Sequence, residues 1–101
     1  MRRGTTPTLS FTTPYTADRI VSGYITFQQH RQTVLELSLT DSNVTIEDNL
    51  ITVSLTQSQT LAFSSELKCR IQIRAVLTGG KVVASNIVET SIEAILKDGE
   101  I

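Results

Sequence analysis

From Lys68 to Leu77 the chain sets Cys69, Ile71, Ile73, Ala75 and Leu77 against Lys68, Arg70, Gln72 and Arg74, apolar against polar. A period of two sends alternate side chains to opposite faces of a strand, so this stretch reads as one strand of a half-buried sheet. The same writing recurs at Leu35-Leu37-Leu39, Ile51-Val53-Leu55 and Val21-Gly23-Ile25-Phe27. Thr, Val and Ile supply 33 of the 101 residues. Their branched side chains restrict χ1 and favour strands over helices. The expected fold class is all-β, with a core of Leu9, Val21, Ile25, Phe27, Leu35, Leu37, Ile51, Val53, Leu55, Phe63, Ile71, Ile73 and Leu77.

Punctuation along the chain divides it into elements. Residues 1–7 are polar, Thr-rich and closed by Pro7, a composition expected to form a flexible N-terminal arm. A short edge strand around Leu9 and Phe11 follows, bounded by Pro7 and Pro14, then a turn through Thr16-Ala17-Asp18. The second strand is expected from Ile20 to Gln29, with Gly23 marking a bulge or close packing, and pairs antiparallel with a third from Thr33 to Thr40 across a polar link. Asp41-Ser42-Asn43 and Glu47-Asp48-Asn49 are turn signals around a short strand at Val44-Thr45-Ile46, before the strand Leu50 to Leu55. Thr56-Gln57-Ser58-Gln59 matches a capping box for one helical turn, which Leu61 and Phe63 plug into the core.

The strand Leu67 to Leu77 ends at a glycine turn, Thr78-Gly79-Gly80-Lys81. A last segment keeps one apolar parity at Val82, Ala84, Val88, Ile92, Ala94 and Leu96, with a break expected near Ser85-Asn86. About seven short strands at these spacings predict a single antiparallel β-sandwich of immunoglobulin-like type over residues 8–101. The Cys, Trp, Cys pattern of antibody domains is missing, so the likeness is one of architecture.

Reactive side chains are sparse. Nine Lys or Arg against ten Asp or Glu create no field to draw nucleic acid, and low net charge protects little against self-association. No apolar run reaches the ~18 residues of a membrane-spanning helix, and no apolar stretch follows Arg2-Arg3 as an export signal requires. The chain is expected to be made in the cytoplasm, with neither nucleic acid nor membrane as partner. His30, the only histidine, falls in a hairpin loop, while Cys69 shares the buried parity of its strand, so no nucleophile and base are expected together. Asp41, Asn43, Glu47, Asp48 and Asn49 offer hard oxygen ligands, yet Ile46 stands where a calcium loop needs glycine; these residues read as turn formers. One Cys and one His cannot complete a zinc site. Lys68, Arg70 and Arg74 form a basic stripe without aromatics to stack bases, read as a solvated face. No catalytic, cofactor-binding or metal residue is expected, and no cofactor.

Three stretches carry a resemblance. They are Arg3-Gly4-Thr5-Thr6-Pro7-Thr8; Ile51-Thr52-Val53-Ser54-Leu55-Thr56-Gln57 running into Thr60-Leu61-Ala62-Phe63; and Ile71-Gln72-Ile73-Arg74 followed by Ala84-Ser85-Asn86-Ile87. Together they resemble small phage and prophage structural proteins of Gram-positive gut bacteria. The second and third are also similar to the immunoglobulin-like N-terminal domain of phage baseplate upper proteins. The resemblance implies a virion component of baseplate, tail, neck or capsid that acts through contacts with other virion proteins or with itself, and performs no reaction. The chain departs from the baseplate proteins in ending at Ile101, without their long helical and receptor-facing regions. A ligand- or glycan-binding module is the alternative, for which exposed aromatics are the discriminating feature; only Phe11, Tyr15, Tyr24, Phe27 and Phe63 are available. Unpaired strand edges predict docking or a symmetric homo-oligomer, with the arm from Met1 to Thr8 able to add to a neighbouring sheet.

Overall fold

The computed structural model describes residues 1–101 and builds them into eight strands. These are β1 (Thr8–Thr12), β2 (Ile20–Gln29), β3 (Gln32–Ser38), β4 (Val44–Glu47), β5 (Leu50–Ser54), β6 (Cys69–Leu77), β7 (Val82–Ala84) and β8 (Val88–Thr90). One helical turn, α1 (Gln57–Leu61), and a 3-10 turn at Ala17–Arg19 complete the set. No helix is long and apolar enough to cross a membrane. The strands form two antiparallel sheets, one ordered β1-β5-β4 and the other β3-β2-β6, with β7 and β8 both along the outer side of β6. An all-β, sandwich-like fold results. Its core draws Ile51, Val53 and Val44 from the first sheet and Ile25, Phe27, Leu37 and Ile71 from the second.

Local sequence sets each connection. His30 and Arg31 join β2 to β3 with φ of 51° and 64°, the pair of positive values that a two-residue type I′ hairpin needs. Gly79 and Gly80 supply φ of 91° and 88° between β6 and β7. The capping box forms in full: the Thr56 hydroxyl accepts from the Gln59 amide at 3.1 Å, and Gln59 Oε1 accepts from the Thr56 amide at 2.9 Å. That turn delivers Phe63 to the core, where its ring meets Phe27 edge-on at 5.8 Å between centroids.

Two expected parities are corrected. Val21 is 57% exposed rather than in the core. The register runs from Ile20 opposite Leu77 to Ser22 opposite Val76, leaving Val21 as the extra residue of a bulge. In the last segment Val83, not Val82 and Ala84, faces inward, because it sits opposite the buried Ala75. Val82 and Val88 are about half-exposed, Leu96 is fully so, and only Ile92 of that row is buried. The break falls at Ser85–Ile87, where the Ser85 hydroxyl accepts from the Ile73 amide at 3.0 Å. Leu9, Leu35 and Ile73 are half-buried, at the margins of the core.

Gly23 is explained by close approach. A methyl at its Cβ would collide with the Arg74 carbonyl oxygen and lie 2.9 Å from Ala75 Cα.

Residues 1–7, expected to form a flexible arm, lie against the domain. Arg2 makes a parallel bridge with Glu93, and the Met1 ammonium donates to Glu93 at 2.9 Å. Arg3 donates to the Phe63 carbonyl at 2.8 Å and the Leu61 carbonyl at 2.9 Å, and pairs with Asp98 at 3.1 Å. The last carbonyls after a short helix have no partner of their own, and a guanidinium fork is suited to collect them. Thr60, fully buried, donates to the Thr5 carbonyl at 2.8 Å.

Candidate interaction surface

The two sheets do not close on the side where β1 and β7–β8 form their margins. A trough of about 680 Å³ opens there, floored by Ile51, Ile73 and Ala75 and walled by Phe11, Tyr15 and Val83. It continues towards Met1, past Leu9, Ile71 and Val88. No charged side chain lines either stretch.

Along this trough runs the free edge of β1. Pro7 accepts from the Leu55 amide and the Thr13 amide donates to Asn49, so odd-numbered residues turn their backbone groups towards β5. Alternation sends those of Thr8, Ser10 and Thr12 outwards, where no strand lies. Side chains divide the other way. Leu9 and Phe11 are half-buried beside the trough, whereas Thr8, Ser10 and Thr12 are exposed.

Other edges are guarded by charge. β3 carries Glu36, β4 carries Glu47, β8 carries Glu89, and β7 follows Lys81. From Gly4 to Ala17, β1 and both its flanks hold none. Edge charges block pairing between chains because desolvating them is costly, so β1 is the edge left open. The uncharged run is legible in the sequence. The trough is not, because its floor and walls come from strands far apart in the chain.

The reactive residues occupy separate places. Cys69 pairs in register with Gln29, next to His30, but its thiol is fully buried while the imidazole is exposed at the hairpin tip. Desolvation raises the Cys69 pKa from the ordinary 9.0 to about 11, against a smaller opposing pull from the N-terminal charge. The Asp41–Asn49 residues serve the backbone. Asp41 accepts from the Ser38 amide at 2.9 Å, Asn43 donates to the Ser54 carbonyl at 2.9 Å, and Asp48 takes a φ of 51° in its turn. No three His, Cys, Asp or Glu side chains gather at one point. Lys68, Arg70 and Arg74 are exposed, and Lys68 donates to the Ser91 hydroxyl at 3.0 Å. Tyr24 is exposed, while the Arg19 guanidinium lies 5.5 Å from the Tyr15 ring centre.

One buried polar residue has no counterpart in the sequence reading. Gln29, the last residue of β2, is only 5% exposed and holds the segment after α1 through its side-chain amide. Neither a protein-family model, nor a curated protein, nor a solved structure matches the chain.

Proposed function

We propose that this chain is a structural component of a phage particle, an accessory module of baseplate, tail, neck or capsid that works through contacts with other virion proteins. The observation that carries this reading is the uncharged, unpaired edge of β1 above an apolar trough, in a domain whose reactive groups are dispersed. Such an edge offers main-chain hydrogen bonds to a neighbouring chain, and alternate side-chain positions give that pairing its register.

The strand order supports an immunoglobulin-like assignment. In that fold the sheets read B-E-D and C′-C-F-G once the first strand is set aside. Here β1-β5-β4 corresponds to the former and β3-β2-β6 with β7–β8 to the latter. The first strand of the fold, beside β1, has no equivalent.

A second reading, a ligand- or glycan-binding module, is favoured by Tyr15 on the trough wall and by its volume of about 680 Å³. The test is a pull-down with purified virion proteins of the parent phage, run beside a glycan array. Capture of a tail, neck or capsid protein that is weakened by Ser10→Pro supports the assembly reading. Glycan binding abolished by Tyr15→Ala, without protein capture, replaces it with the second.

A further inference from the structure

We propose that β1 pairs antiparallel with β1 of a second copy about a two-fold axis through Ser10, joining the two β1-β5-β4 sheets into one continuous sheet. The inference goes beyond the virion reading and stands on edge geometry alone.

The outward backbone groups of β1 belong to Thr8, Ser10 and Thr12. With the axis at Ser10, Ser10 faces Ser10 of the second copy, and Thr8 faces Thr12. All three are hydrogen-bonded pairs, each exchanging both N–H···O bonds, so every free group on both edges is satisfied. A shift of the axis by one residue keeps outward groups opposite outward groups but shortens the match: about Leu9, Thr12 would face Thr6 beyond the strand, and about Phe11, Thr8 would face Pro14, which has no N–H. Pro14, without an N–H, closes the edge beyond Thr12.

Side chains fit the same register. Leu9 of one copy stands opposite Phe11 of the other, twice over, in the closer non-hydrogen-bonded pairs on the trough side. The occupant of an apolar trough beside a free edge must be extended, uncharged and apolar at alternate residues. Thr8-Leu9-Ser10-Phe11-Thr12 is such a segment, already placed at the edge that needs it. The formal net charge of −1 leaves little repulsion between copies.

Cysteine cross-linking tests the register. Hydrogen-bonded antiparallel partners have Cα atoms about 5.5 Å apart, within disulfide reach. Ser10→Cys should therefore give a disulfide-linked dimer under mild oxidation, the native Cys69 being buried. Thr12→Cys alone should not, since two copies of residue 12 lie four residues out of register, roughly 13 Å apart. Thr8→Cys combined with Thr12→Cys should restore the link. Sedimentation should show a dimer that dissociates on dilution and is lost in Ser10→Pro, with the monomer's circular dichroism unchanged. If Ser10→Pro does not fold, Ser10→Lys serves instead, setting two ammonium groups face to face at the axis. A wild-type monomer at every concentration, or cross-linking of Thr12→Cys as efficient as that of Ser10→Cys, overturns the proposal. A monomer that still captures virion proteins ends this inference and leaves the assembly reading standing.

Discussion

Gln29 and Ser64 grip each other twice: Gln29 Nε2 donates to the Ser64 carbonyl at 2.8 Å, and the Ser64 amide donates to Gln29 Oε1 at 2.8 Å. Gln29 Nε2 also donates to the Leu67 carbonyl at 3.0 Å. One side chain thereby ties the end of β2 to the segment between α1 and β6.

Replacing that amide strands three backbone groups at once. Gln29→Leu keeps volume but leaves them without partners, at about 1–3 kcal/mol for each group that water cannot reach. Chemical denaturation should show a loss of at least about 2 kcal/mol. Gln28→Leu, on the opposite face and less buried, should change stability by under about 0.5 kcal/mol.

Gly23→Ala should be among the most damaging single-methyl changes in this chain. The added carbon meets the backbone of β6, which cannot rotate away as a side-chain tip does, so β2 and β6 must separate locally. A loss of about 3 kcal/mol or more is expected from thermal melts. A neutral result would show that the β2–β6 pairing tolerates slippage.

Acid should loosen the chain's two ends before it unfolds the sandwich. The hydrogen bond from Arg3 holds the Asp98 carboxyl below its usual range, and that from the N-terminal ammonium does the same for Glu93. A depressed folded-state pKa means stabilisation is fully present above the ordinary values, 3.8 and 4.5, and is lost as pH falls through the depressed ones. Amide chemical shifts of residues 1–5 and 92–98 should titrate in that acid window while those of β2 and β6 stay fixed. Asp98→Asn should remove the Arg3 part of the response.

Cys69 behaves oppositely with pH. Its raised value favours the protonated thiol in the folded state, so the contribution is fully present below pH 9.0 and is lost as pH rises through about 11. At neutral pH a thiol-reactive dye should label Cys69 only as fast as the protein unfolds. Rapid labelling of native protein would contradict the burial of this strand face.

Strands were legible where one face is buried and the other wet, as in β2 and β6, because burial enforces a period of two. Val21 escaped because a bulge is a register event between strands, and nothing in its own neighbourhood announces it. The parity of Val82–Ala84 was ambiguous for a related reason: adjacent valines satisfy either face, and only Ala75 across the ladder decides. The docking of residues 1–7 rests on carbonyls after α1 that Arg3 collects, a relationship across about sixty positions with no periodic signature. The open edge was half-visible, as an uncharged run, while its trough required the fold.

The contacts of Arg3 with Asp98, of Met1 with Glu93 and of Gln57 with Ile101 bring both chain ends to the pole of the sandwich that holds α1. Gly79 and Gly80 turn at the opposite pole, with open space around each Cβ position. The topology therefore suits circular permutation: a short linker between the present ends, with new ends opened at Gly79–Gly80, would leave every ladder of both sheets intact. By the same geometry the domain can be grafted into a surface loop of a host protein, entering and leaving on one side while its β1 margin faces outward.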